Sequence, residues 1–236
     1  MSLRIVEQLA NPGNYGGTRT ANQIRYLVIH YTGNDGDKAA NNAAYFQKNV
    51  VQASAHYFVD DSVVYRSVPD LRIAWAVGGK KYANADKTGG GTMHGIITNT
   101  NSISVELCDT RRDGTYQATE ATLDRAVELC RELMEKYRIP LERVYRHFDV
   151  TGKHCPSYFV NDEKWESFKS RLQGPEMDNT PSPAHKEAVE WALDAGIIQG
   201  NAAGNLMLHQ GLTREQFCTM SKRAADWIMQ RFERLD

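Results

Sequence analysis

Nowhere do the 236 residues hold an apolar run approaching the ~20 that a membrane helix requires, so a membrane-spanning helix is not expected. The opening stretch, Met-Ser-Leu-Arg-Ile-Val-Glu-Gln-Leu-Ala, also lacks the apolar core and cleavage site of an export signal. Positive charge is not in excess: 28 lysines and arginines face 29 aspartates and glutamates, for a net charge of −1. Without a basic field or a basic run, nucleic acid is not an expected partner, and no membrane surface is either. Cysteine is sparse. Cys108, Cys130, Cys155 and Cys218 follow no framework spacing, which excludes a disulfide-stapled module. Proline is scarce as well, and three of the seven fall within residues 174–183. Hydrophobic residues at 41% and charged residues at 24% are ordinary for a globular chain. The length suggests one or two domains.

What is present centres on residues 144–159, Val-Tyr-Arg-His-Phe-Asp-Val-Thr-Gly-Lys-His-Cys-Pro-Ser-Tyr-Phe. His147 and Cys155 stand eight positions apart (155 − 147), with Gly152 between them to allow a sharp turn. That spacing does not match successive helical turns, so a bent loop must bring the two together. Neutral imidazole and thiolate are both good zinc ligands, and a catalytic zinc takes three protein ligands plus water. Upstream, His30 closes the apolar run Tyr-Leu-Val-Ile-His-Tyr-Thr over residues 26–32 and is the clearest third ligand. The two alternating sets of that run both begin apolar, as in a central strand, and His30 falls at its carboxyl end. Taken alone, His30 reads as a hydrogen-bonded core histidine; beside the later loop it reads as a ligand. In Ser-Ile-Ser-Val-Glu-Leu-Cys (102–108), Ile103, Val105 and Leu107 face one way and Glu106 the other. A carboxylate in so apolar a strand either sits at an exposed edge or is put to use.

The strand-borne histidine, the His147-x5-Lys153-x-Cys155-Pro156 loop and the Glu106 strand together resemble the zinc-dependent N-acetylmuramoyl-L-alanine amidases. That family includes phage and prophage endolysins and is related to the peptidoglycan-recognition proteins; the resemblance covers roughly residues 20–160. It implies an α/β fold, with a central mixed β-sheet flanked by helices, and hydrolysis of the bond between N-acetylmuramic acid and L-alanine in peptidoglycan. It further implies a Zn2+ held by His30, His147 and Cys155, with Glu106 as proton shuttle and Lys153 stabilising the oxyanion. Segment 72–79 resembles the family's Ala-Trp-His-Ala-Gly groove lining, with Ala76 where the histidine usually stands. Trp75 there is a candidate substrate contact or a core aromatic. His56 is a second candidate for substrate binding, although a structural role is favoured. Ala55 takes the place of the tyrosine that some relatives use in catalysis. A non-catalytic recognition module is the alternative function, but such relatives typically lose the cysteine that this chain keeps.

The remaining chain frames this region. Residues 1–23 read as a loop, 37–49 as a helix, and the runs around Asp60-Asp61-Ser62 as a hairpin. The glycine-rich stretch 80–95 reads as a long rim loop in which His94 is exposed. Residues 118–137 carry an apolar stripe with Thr119 as cap, and Trp165 and Phe168 belong to a helix closing the domain. The expected division is a catalytic domain at 1–173, a linker at 174–183 and a helical hairpin at 184–236 capped at Thr213. The hairpin resembles a single S-layer-homology motif. It is expected to bind a cell-wall polymer, to form a homodimer, or to stabilise the first domain, since so short a hairpin has little core. The expected setting is a cytoplasmic endolysin released to the cell wall at lysis, or an autolysin working outside the cell.

Overall fold

The computed structural model describes residues 3–173, 179–201, 204–209 and 211–232. The chain divides into two compact units, Met1–Gly174 and Pro175–Asp236. Part of the expected linker, residues 174–178, lies outside the described residues.

The first unit is built on a six-stranded mixed sheet. Its strands in chain order are β1 (Ile5–Glu7), β3 (Tyr26–Tyr31), β4 (Tyr57–Val59), β5 (Val64–Arg66), β7 (Ser102–Leu107) and β8 (Val144–Arg146). A separate antiparallel pair joins β2 (Tyr15–Thr18) to β6 (Arg72–Ala74). The sheet order is β1-β5-β4-β7-β3-β8. The four strands from β4 to β8 run parallel, so their carboxyl ends gather at one end of the sheet. Here β5 turns back against β4 through the expected hairpin, whose Asp60 Oδ1 accepts from the Ser62 and Val63 N–H groups.

Period two divides β3 between the two faces. Leu27 and Ile29 enter a core with Ile103, Val105 and Leu107 of β7, while Val28 packs with Val77, Ile97 and Val150 on the other side. The first face is covered by α3 (Glu120–Tyr137) and α5 (Asp162–Leu172), through Ala126, Leu129, Cys130 and Leu133 and through Trp165, Phe168 and Leu172. Burying each of these larger apolar side chains contributes roughly 1.5–3 kcal/mol. The Thr119 hydroxyl caps α3 by accepting the Thr122 N–H at 3.1 Å. On the second face α1 (Ala39–Lys48) presents Ala39 and Ala43 to Phe58 and Cys108. Small residues let it approach the sheet closely.

Two expectations are corrected. The stretch 1–23 is not all loop, because β1 and β2 lie within it. Each is short and paired to a partner far along the chain, so neither leaves a local periodicity. The stretch 80–95 contains one short helix, α2 (Ala85–Thr88), and it braces the loop that carries His147. Tyr82 N–H donates to Thr151 O at 2.8 Å, Gly91 N–H to Phe148 O at 2.9 Å and Met93 N–H to Asp149 O at 2.8 Å. His94 is exposed, as expected.

The second unit holds α6 (Lys186–Asp194) and α7 (Arg214–Phe232), with Trp191 and Trp227 edge to face at 5.4 Å. Thr213 Oγ1 accepts from the Gln216 N–H, and Gln216 Oε1 accepts from the Thr213 N–H, a reciprocal cap at the expected residue. Among its described residues the buried apolar ones are Ala192 and Ile197.

Candidate metal centre and active site

Sheet register assembles the site. Phe58 of β4, Glu106 of β7 and His30 of β3 are direct cross-strand partners in one row. Since Ile29 pairs with Arg146, the next residue of each chain continues that row from His30 to His147. In a sheet, partners at the same level point to the same face. His147 opens a five-residue helix, α4 (His147–Thr151), every residue of which is buried. Gly152 ends the helix in the left-handed region at φ 81°, turning the chain back. The Phe148 N–H then donates to Cys155 O at 2.9 Å, so Cys155 returns to the start of the loop.

Among the described residues, His30, His147 and Cys155 come together with one ligand atom from each, all within 4.8 Å. His30 Nδ1 lies 3.8 Å from Cys155 Sγ and 3.9 Å from Glu106 Oε1, and the two imidazole rings are 4.6 Å apart. His30 Nε2, His147 Nδ1 and Glu106 Oε2 are buried with no hydrogen-bond partner. The orphaned His147 Nδ1, with a His30 ring whose Nδ1 faces the Cys155 thiol, makes a nitrogen–nitrogen–sulfur set that fits a tetrahedral zinc with an open fourth position.

The electrostatics of the two histidines agree with that fit. Burial, then the neighbouring His147 and Lys153, hold His30 well below its ordinary value, and burial with Lys153 takes His147 down to about 4. Both imidazoles are therefore neutral near neutral pH. Burial and Glu106 push the Cys155 thiol up. Glu106 itself rises to about 8, through burial first; Lys153 lowers it and Asp37 raises it. Lys153 is exposed, yet its charge acts on His30, His147, Glu106 and Cys155 alike. Glu106 opens on a pocket of 520 Å³ whose lining includes Thr32, Asp37, Asn42, Tyr45 and Phe58. A larger pocket of 720 Å³ lies between α3 and α5 and holds none of these ligands; its Arg171 is already paired with Glu120 and Asp124.

His56 lies in the core. It is fully buried, its Nδ1 accepting from the Ser104 N–H at 3.0 Å and its Nε2 lying 2.8 Å from Arg19 Nη2 and 3.2 Å from Arg72 O. Burial and the Arg19 charge take its pKa to about 3, so it is a neutral core histidine that ties β7 to the strands around it. Trp75 is half-buried, with its Nε1 beside Gly16. His154 is exposed and lies edge-on to Phe148.

Three neighbours of the site went unseen in the sequence. The Tyr158 hydroxyl is buried without a partner; burial and the charges at Cys155 and Glu106 raise its pKa. Asp37 reaches the pocket from the turn before α1, accepting from Asn42 Nδ2 at 2.5 Å. Arg146 is buried beside the ligand loop. Only Arg146 left a signal, a charge in an apolar run with an aspartate three residues on. Asp37 and Tyr158 are polar residues in polar surroundings, and only long-range packing brings them to Glu106.

Known proteins resemble this chain in sequence and fold. Residues 20–158 match the family model described as N-acetylmuramoyl-L-alanine amidase. The chain is 30% identical over 216 residues to the N-acetylmuramoyl-L-alanine amidase CwlA of Bacillus subtilis, covering 84% of this chain and 73% of that one. It is also 30% identical to XlyB of the same organism, across 73% of this chain and 50% of that relative. Among solved structures, the PlyG catalytic domain superposes with a TM-score of 0.58 at 29% identity, covering 76% of this chain and all (100%) of that one. The catalytic domain of XlyA gives a TM-score of 0.56 at 26% identity, over 72% of this chain and 99% of that one. With its fold and more than half its length in agreement, the chain belongs to the N-acetylmuramoyl-L-alanine amidase family.

Proposed function

We propose that the protein hydrolyses the amide bond between N-acetylmuramic acid and L-alanine in peptidoglycan, with zinc held by His30, His147 and Cys155. The observation that carries this reading is the cluster of those three side chains, within 4.8 Å, beside a carboxylate whose pKa stands at about 8. When bound, such an ion supplies Lewis acidity, acidifying water to a pKa of ~7 and polarising a carbonyl.

The chain's own groups do the rest. Glu106 accepts the proton of the attacking water and returns it to the leaving nitrogen, a task suited to a carboxylate whose pKa lies near neutrality. Lys153, exposed at the mouth of the site, sets its ammonium against the developing oxyanion. The pocket beside Glu106 admits the substrate, and Trp75 is the candidate contact for sugar or peptide. The first unit is the catalytic domain on this reading. The second, S-layer-homology-like, holds the enzyme on a wall polymer or pairs two copies. An endolysin or autolysin acting at the cell wall is the setting that fits.

The test is metal content and muropeptide release on one purified sample, wild type beside Cys155→Ser. About one zinc per chain and freed stem peptide in the wild type, with both lost in the variant, support the reading. Zinc without hydrolysis in the wild type overturns the enzyme in favour of a recognition module. The second unit fused to a fluorescent protein reports wall binding by sedimentation with purified cell walls, and its mass in solution reports pairing.

A further inference from the structure

We propose that Arg146 is a positioning residue for the metal centre, which sets His147 and Cys155 in place by stapling the two ends of the loop that carries them. The proposal rests on reading His30, His147 and Cys155 as the metal ligands.

Arg146 is 7% exposed and directly precedes His147. Its guanidinium makes a fork on Asp149, with Nη2 donating to Oδ1 at 2.7 Å and Nε donating to both carboxylate oxygens at 3.1 Å. The Arg146 backbone N–H donates to Asp149 Oδ2 at 2.7 Å, closing a cap on α4. These bonds fix the entry of the loop. Its Nη1 reaches the exit, donating to Phe159 O at 2.7 Å and to Asp162 Oδ1 at 2.8 Å. Phe159 stands four residues beyond Cys155 (159 − 155), and Asp162 begins α5. The cation also lies 5.1 Å from the centre of the Phe148 ring and 5.5 Å from that of Trp165. One side chain thus ties the helix bearing His147, the segment after Cys155 and the helix that closes the domain.

The chemistry requires arginine. Lysine offers a point charge without the planar fork, so it cannot hold Asp149 and Phe159 O together in fixed geometry. A buried ion pair also contributes little net stability against an apolar replacement, so stability alone is a weak reason for this one. Its geometric effect is specific: it orients groups that hold metal ligands, and loss of such partners typically weakens metal binding by ~10–100-fold.

The test uses the full-length protein as wild type, Arg146→Lys and Asp149→Asn, with Thr119→Ala as a remote control. Zinc affinity is measured by competition with a chelator, and the ligand-field spectrum is recorded with cobalt in place of zinc. Arg146→Lys, folded by circular dichroism, is expected to bind zinc ~10–100-fold more weakly with shifted cobalt bands. The Thr119 variant is expected to melt earlier with unchanged affinity and spectrum. If Arg146→Lys fails to fold, Asp149→Asn is read in its place; it keeps the side-chain volume and the backbone acceptor while weakening the fork. Wild-type affinity and an unshifted spectrum in the folded variants overturn the staple alone. A wild type that binds no zinc overturns the metal reading, and the staple falls with it.

Discussion

At the scale of single residues, the site is defined by groups held away from their ordinary charge states. Glu106 is half-buried, rises to about 8, and has one oxygen without a partner. We expect Glu106→Gln to keep its zinc and lose ~10²–10⁴-fold in hydrolysis, the usual worth of a general acid–base. A variant that hydrolyses like wild type removes Glu106 from the mechanism. The same shift has a stability consequence in the metal-free protein. The unfolded chain releases the Glu106 proton near its ordinary value of 4.5, while the folded chain keeps it up to about 8. Between those values the folded state binds more protons, so this group's contribution falls as pH rises. His30 and His147, with lowered pKa values, act the opposite way, losing stability as pH falls below their ordinary 6.5, but both proteins share them. The melting temperature of metal-free Glu106→Gln should therefore gain on wild type as pH climbs through that window; a constant difference contradicts it. Lys153→Met should lower kcat by ~10²–10³-fold, as for other lost oxyanion donors, with zinc content unchanged.

At the scale of elements, the decisive piece is α4 and the turn after it. Gly152 combines a φ of 81° with a tight approach in which an added Cβ would stand 2.4 Å from Ala85 Cβ. Gly152→Ala therefore strains the backbone and displaces α2, costing roughly 1–3 kcal/mol for the conformation alone. It should lower both the melting temperature and zinc content, because Cys155 lies three residues further on (155 − 152). Thr119→Ala, at the cap of α3, should cost about 1 kcal/mol by thermal melting and leave hydrolysis unchanged. Equal damage to zinc content in both variants would mean that the centre responds to global stability and not to its own loop. The periodicity of β3, β7 and α3 was plain in the sequence, since each buries a regular face. The bracing of α4 by residues 80–95 was not, because backbone hydrogen bonds between loops carry no residue pattern.

At the scale of the whole molecule, the two units differ in how much they bury. The first has a core on both faces of its sheet, whereas the second has Ala192 and Ile197 as its buried apolar residues among those described. A chain ending at residue 173 should therefore fold, bind zinc and cleave soluble muropeptides, with a melting temperature within a few degrees of the full chain. A fragment that precipitates, or that folds without binding zinc, would show that the first unit needs the second.

The sequence by itself determined the candidate ligand side chains, the loop that carries two of them, strands β3 and β7 with the hairpin between them, the main helices, and the cap at Thr119. These follow from local chemistry: which atoms hold a metal, which residues turn the chain, and which periods bury a face. Only the tertiary structure decided that Glu106 and His30 are paired across β7 and β3, that His56 belongs to the core, and that Arg146 joins the ends of the loop carrying His147 and Cys155. Those outcomes depend on sheet register and on contacts between residues distant in the chain. Such contacts form when whole apolar faces are buried together, and no single stretch of sequence encodes that choice.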